Sequence, residues 1–162
     1  MKENEIAREI VDAALKVHRV LGPGLLESVY EEVLAYELRK RGLEVARQVV
    51  MPVTYEGITM AQAYRLDLVV EGAVIVELKS SESHAPVHKK QLITYLRLSG
   101  LKVGLLINFG TKLLKDGLTR IVNELPEEKA AIGSSSGWWG RRCFSRAETQ
   151  RGLGCRRRPR LR

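Results

Sequence analysis

Two short segments, residues 64–70 and 74–79, restrict the fold of this chain more than any other stretch. The first reads Tyr64-Arg65-Leu66-Asp67-Leu68-Val69-Val70, the second Val74-Ile75-Val76-Glu77-Leu78-Lys79. Both are rich in β-branched and aliphatic residues, and Glu71-Gly72 between them is a turn signal, so the pair reads as a β-hairpin. A three-residue connection (Glu71-Gly72-Ala73) sets Val70 against Val74, Leu68 against Val76 and Leu66 against Leu78 on one wholly apolar face. The same register sets Asp67 opposite Glu77 on the other face, with Lys79 two residues further along. A two-residue loop would mix apolar and charged side chains on both faces, so the patterning itself selects the three-residue register.

Helical spacing dominates the segments before this hairpin. Ile6, Ile10, Ala13, Val17 and Leu21 follow one helix face, with Asn4 expected as the cap, and Gly22-Pro23-Gly24 breaks the helix. A second helix is expected over residues 25–41, with Val29, Val33, Leu34 and Leu38 on one side. Gly42 suits its left-handed C-terminal cap, and Arg39, Lys40 and Arg41 complement its dipole. Residues 45–55 read as a strand that Pro52 confines to an edge or a bulge. Glu56-Gly57 turns the chain into a long strand over residues 58–70. After the hairpin, a polar loop (residues 80–86) precedes a helix over residues 87–98, closed by Gly100. A continuous apolar run over residues 102–109 reads as a buried strand, and residues 118–122 as a last one. The order ααβββαββ predicts an α/β domain with a mixed β-sheet flanked by helices.

Charge separates this domain from the C-terminal segment. The 162 residues carry a formal net charge of +8, which by itself points to nucleic acid. Residues 1–126, however, hold 17 Lys+Arg against 16 Asp+Glu, a net of +1, whereas residues 127–162 hold 10 against 3, a net of +7. The latter segment offers Gly-Ser-Ser-Ser-Gly (133–137), Trp138-Trp139 and the run Arg156-Arg157-Arg158-Pro159-Arg160, with few aliphatic residues. It reads as an Arg-rich disordered tail, either a basic arm for nucleic acid or an accidental extension. Two cysteines, Cys143 and Cys155, cannot build a disulfide framework. No apolar run reaches the length of a membrane span, and residues 1–5 are polar and acidic, unlike a signal peptide. A soluble, cytoplasmic protein is the expectation.

The hairpin also suggests chemistry. Directly opposed carboxylates repel unless a cation neutralises them, and hard oxygen ligands suit Mg²⁺ or Mn²⁺. Such an ion activates water and polarises a phosphoryl oxygen, while Lys79 beside it orients the water or stabilises phosphate charge. The plainer alternative is a cross-strand salt bridge on a solvated face. Glu27 and Tyr30 lie one turn apart at a helix start, and Gln91 and Tyr95 share a face of the later helix at i and i+4. Arg65, on the same face as Asp67, is a candidate for phosphate or for pairing with a carboxylate. His88 is either a candidate for the site or an ordinary surface histidine. His84 and His88 have i, i+4 spacing, but Ala85-Pro86 puts His84 before the helix and no third zinc ligand is visible. Gly22-Pro23-Gly24 lacks the Lys-Ser/Thr of a phosphate loop.

Taken in order, these motifs resemble a known family, the GxxExxY proteins within the PD-(D/E)XK nuclease superfamily. The agreement runs from about Ile6 to Leu125. It includes Val17-His18, the stretch Leu21-Gly22-Pro23-Gly24-Leu25-Leu26-Glu27-Ser28-Val29-Tyr30, Tyr64-Arg65-Leu66-Asp67, and Glu77-Leu78-Lys79. It continues through His88, Gln91, Tyr95-Leu96 and Gly104-Leu105-Leu106-Ile107-Asn108-Phe109-Gly110. Ala63, where the family often has Gly, is a small departure. The resemblance implies a restriction-endonuclease-like core with the hairpin at its centre. It implies that Asp67, Glu77 and the backbone carbonyl of Leu78 hold Mg²⁺ (Mn²⁺ as a substitute), with Glu27 approaching the same metal from its helix. Lys79 would serve the attacking water, and Gln91 and Tyr95 would support the site and contact DNA. Tyr30, Arg65 and His88 are then candidate substrate contacts. The expected activity is a metal-dependent nuclease acting on nucleic acid, DNA first, with a second copy or a protein partner helping to engage duplex. The alternative is a catalytically silent nucleic-acid-binding or interaction module that keeps the fold.

Overall fold

Connection length dictates how the sheet pairs. The computed structural model describes residues 1–81 and 86–123. Helices α1 (Glu3–Leu21) and α2 (Glu27–Lys40) precede strands β1 (Val45–Tyr55), β2 (Ile58–Val70) and β3 (Val74–Lys79). Helix α3 (Pro86–Ser99), β4 (Val103–Asn108), a short 3-10 helix (Leu114–Gly117) and β5 (Leu118–Val122) complete the order. The sheet order is β1-β2-β3-β4-β5. Tight turns make β1–β2 and β2–β3 antiparallel, whereas β3 and β4, joined through α3, run parallel. This is the mixed α/β sheet flanked by helices that the element order predicts; only the 3-10 helix was unforeseen.

Alternation along β3 and β4 sorts the core into two layers. Val74, Val76, Leu78, Leu105 and Ile107 pack with Ile10, Ala13, Ala14 and Val17 of α1 and Tyr30, Leu34 and Leu38 of α2. Ile75 and Leu106 pack on the opposite side with Leu92, Tyr95 and Leu96 of α3. Gly104 permits that second contact, because a Cβ there would stand 3.0 Å from the Leu92 side chain. Pro52 lies where the β1–β2 register shifts between Met51 and Val53, on an edge strand, as its missing N–H requires.

Helix ends differ in detail from expectation. Helix α1 starts at Glu3, and Lys2, whose backbone N–H donates to Glu5 Oε2 at 3.0 Å, takes the cap position in place of Asn4. Asn4 lies inside the helix and accepts from Arg120 Nη2 at 2.7 Å, tying α1 to β5. Helix α2 starts at Glu27, two residues later than its apolar spacing suggests. It closes as anticipated at Gly42 (φ +83°), with Gly42 N–H on Arg39 O (2.9 Å) and Leu43 N–H on Leu38 O (3.2 Å).

The hairpin register holds for Val70–Val74 and Leu68–Val76, and the β2–β3 ladder then stops. The N–H of Leu78, which a continuing ladder would give to the facing backbone, donates instead to Asp67 Oδ2 at 2.8 Å. As a consequence Leu66 does not share a face with Leu68 and Leu78. It packs in the α3 layer, while those two pack under α1 and α2.

A buried asparagine at the end of β4 ties down the chain that leaves β3. Asn108 Oδ1 accepts from the N–H of Ser81 and of Gly110 (both 3.0 Å), and its Nδ2 donates to Ser81 O at 2.8 Å. Among the described residues no helix is long and apolar enough to cross a membrane. His84, Trp138-Trp139, both cysteines and the arginine run, and with them the readings placed on the tail over residues 127–162, lie outside the described residues. Replacing Asn108 by Ala removes three hydrogen bonds and strands polar backbone groups, so a loss of roughly 2–4 kcal/mol in urea unfolding is expected.

Candidate active site

Continuing the alternation of β3 past Ile75 places Glu77 and Lys79 on the α3 side of the sheet. Glu77 is 3% exposed, and Lys79 Nζ donates to its Oε1 at 2.9 Å. Its second oxygen, Oε2, is buried and meets no hydrogen-bond partner among the described residues. Asp67 stands beside it, held by the Leu78 N–H where the ladder opens. Glu27 reaches the same end of β3 from the first turn of α2, its Oε1 accepting the Ser80 N–H at 3.1 Å. Ser80 Oγ in turn donates to Leu25 O at 2.6 Å. Thus the first turn of one helix and one end of a hairpin converge on a single segment of chain.

The charges there oppose one another. Burial and the neighbouring Asp67 push the Glu77 carboxyl from its ordinary 4.5 up to about 7, against the pull of Lys79. Burial also raises Asp67, although its bond from Leu78 N–H counteracts the shift. Burial alone would lower Lys79, but its bond to Glu77 and the surrounding carboxylates raise it, so it keeps its proton. Tyr95 is raised by burial and by the charges of Glu77 and Asp67, against its bond from Gln91. A site with excess buried carboxylate, one oxygen of which lacks a partner, suits a hard divalent cation. Among the described residues no three His, Cys, Asp or Glu side chains gather as a metal-holding set. The acidic pair is Asp67 and Glu77, and Glu27 is engaged with Ser80 instead.

The other anticipated residues fall into two groups. Gln91 and Tyr95 do meet, the amide Nε2 donating to the Tyr95 hydroxyl, and the Tyr64 and Tyr95 rings form a T-shaped pair with centroids 5.2 Å apart. His88 is half-buried, its Nδ1 without a hydrogen-bond partner among the described residues, and Arg65 is exposed. Tyr30 is a correction. It is wholly buried, stacked on Phe109 at 4.3 Å, and its hydroxyl donates to Gly22 O (2.6 Å) and accepts from Leu25 N–H (3.2 Å). With ring and hydroxyl both engaged in the interior it fixes the loop ahead of Glu27 and has no surface for substrate.

Sequence reasoning missed Glu31. This buried carboxylate accepts from Arg47 Nε (2.8 Å) and Gln48 Nε2 (2.6 Å), and its charge helps raise Asp67. Arg47 also pairs with Glu32. Glu27 and Glu31 are spaced i, i+4, a signal the sequence does contain. The strand partners, however, depend on Gln48 adopting φ +50° at the break in the β1–β2 ladder.

The chain thus forms a mixed sheet with two acids and a lysine, Asp67, Glu77 and Lys79, at the open end of the β2–β3 hairpin. The sequence model of the PD-(D/E)XK nuclease superfamily matches residues 4–121, and the chain belongs to that superfamily. Members generally use divalent metal ions and act on nucleic acid. No curated protein sequence matches this chain. A solved structure, the crystal structure of SSO0001, is similar at 21% identity with a TM-score of 0.47; the match covers 79% of this chain and 66% of that one, just under two thirds of its length.

The raised Glu77 fixes the sign of a pH effect. Between about pH 4.5 and 7 the folded protein retains a proton that the unfolded chain has lost, so stability declines as pH rises through that window. In EDTA, urea unfolding at pH 8 should give up to roughly 3 kcal/mol less stability than at pH 4.5. Glu77→Gln should flatten the profile.

Proposed function

We propose that this protein is a metal-dependent nuclease of the GxxExxY type that hydrolyses phosphodiester bonds, with DNA as its substrate. The observation that carries this reading is the set at the open end of the β2–β3 hairpin: Asp67 on the Leu78 N–H, Glu77 with a buried free oxygen, and a protonated Lys79 beside it. Asp67, Glu77 and the Leu78 carbonyl would hold Mg²⁺ or Mn²⁺. The ion, when bound, supplies charge neutralisation at the phosphate and lowers the pKa of water.

The chain's own residues do the rest. Hydrolysis forms a bond from a water oxygen to phosphorus and breaks one ester P–O bond, leaving a phosphate end and a hydroxyl end. Negative charge accumulates on the phosphate oxygens as this happens. Lys79 is pre-placed as a fixed positive charge because Glu77 holds its ammonium group, so it stabilises that charge without reorganising. Glu27 acts through backbone: by holding Ser80 N–H it fixes the chain directly after Lys79. Gln91 and Tyr95 support the opposite wall, and Arg65 and His88 remain available to substrate.

The test is a Mg²⁺ or Mn²⁺ assay on linear, circular, single-stranded and branched DNA and on RNA. Glu77→Ala and Lys79→Ala should each reduce cleavage by at least about 10²-fold while circular dichroism stays native. Cleavage at the original rate in both variants overturns the assignment.

A further inference from the structure

Two neighbouring strands reverse their side-chain alternation at one rung of the sheet, and that rung contains Asp67. On β2, Leu68 packs under α1 and α2, whereas Leu66, two residues away, packs in the α3 layer. On β1, Val45 packs with the α1 and α2 layer and Arg47 bonds to Glu31 of α2, whereas Val49 and Met51 pack in the α3 layer. A regular strand keeps residues i and i+2 on one face. The pairs Arg47–Leu68 and Val49–Leu66 flank the reversal, so Gln48 lies directly across from Asp67, and these two do not pair. The bond from Leu78 N–H engages Asp67 from the β3 side. It does not account for the reversal of β1 on the other side.

Gln48 supplies that second cause. Its φ of +50° is left-handed, a conformation that a residue with a side chain keeps only where its surroundings impose it. Here the imposing group is one carboxylate. Glu31, 6% exposed, accepts from Arg47 Nε at 2.8 Å and from Gln48 Nε2 at 2.6 Å. Consecutive residues of a regular strand point to opposite faces, so one group can bond both only where the strand is broken between them. Arg47 is anchored further by Glu32. One helical turn before Glu31, Glu27 holds Ser80. Helix α2 thus fastens β1 across from Asp67 as well as the chain that leaves β3.

We propose that Glu31 is a positioning residue: through Arg47 and Gln48 it holds β1 in the reversed conformation that releases Asp67 from the ladder and lets its carboxylate meet the Leu78 N–H. The metal-holding role of Asp67 rests on the nuclease reading, whereas its placement is measured without metal or cleavage.

Hydrogen exchange of the Leu78 amide, followed by NMR on the full-length protein in EDTA, reads that placement. The Val76 amide, two residues earlier and inside the sheet, reports opening of the sheet as a whole. Glu31→Gln should speed exchange at Leu78 at least about 10-fold more than at Val76, the effect of losing a hydrogen bond to a charged group. It should also weaken Mn²⁺ binding in calorimetry by about 10- to 100-fold. Gln48→Gly alone should match the original protein, because glycine adopts positive φ freely. Combined with Glu31→Gln, it should restore both Leu78 protection and Mn²⁺ affinity, a rescue that a role for Glu31 in charge or packing alone would not give. Gln48→Val, whose β-branched side chain opposes positive φ, should reproduce the loss at Leu78 and carries the same test should Glu31→Gln fail to fold. Leu78 exchange unchanged in Glu31→Gln, equal acceleration at Leu78 and Val76, or no rescue by Gln48→Gly would each overturn the proposal. Cleavage assays separate it from the nuclease reading. Full cleavage with unchanged Leu78 exchange in Glu31→Gln removes the positioning role and leaves the nuclease. The predicted exchange and rescue in a protein that neither binds Mn²⁺ nor cleaves does the reverse.

Discussion

The hydrogen bond from the Leu78 N–H to Asp67 Oδ2 is the hinge of this structure. It substitutes a side chain for a backbone acceptor at the last rung of an antiparallel ladder. The two strands part there, Leu66 turns toward α3, and Glu77 and Leu78 are left outside the β2–β3 ladder. A hairpin that paired along its full length would close that end of the sheet. The bond also lowers the cost of keeping Asp67 charged in a half-buried place, working against desolvation. One interaction thus shapes the opening and sustains one of the charges in it.

Around that opening the chain tolerates electrostatic conflict that it avoids elsewhere. Glu37 is also buried and acidic, yet Lys16 and Arg41 surround it and hold its carboxyl below the ordinary range. Glu77 has one lysine, a nearby Asp67 and an oxygen with no partner. The contrast between two buried glutamates in one small domain separates a carboxylate neutralised by its ion pairs from one left with uncompensated negative charge.

Much of this was legible because it follows from periodicity. The alternation of Val74, Val76 and Leu78 against Leu68 and Val70 fixed the hairpin register, and Pro52 marked the irregularity in the edge strand. The pairing of Gln91 with Tyr95 follows from one helical turn. What escaped depends on long-range contacts that no local pattern encodes. Leu66 changed layers because a side chain displaced a backbone acceptor. Tyr30, part of a motif that implies function, proved to be interior because Phe109, far along the chain, stacks on it. Glu31 found its partners only through a left-handed Gln48, and Asn108 through a loop that returns to it.

The segment that leaves β3 carries a mechanical consequence. Ser80 is grasped by Glu27 and Leu25, and Ser81 by Asn108, while Tyr30 locks the loop behind Leu25 to Phe109. This makes a cross-braced strut joining the start of α2 to the end of β4, directly behind the lysine.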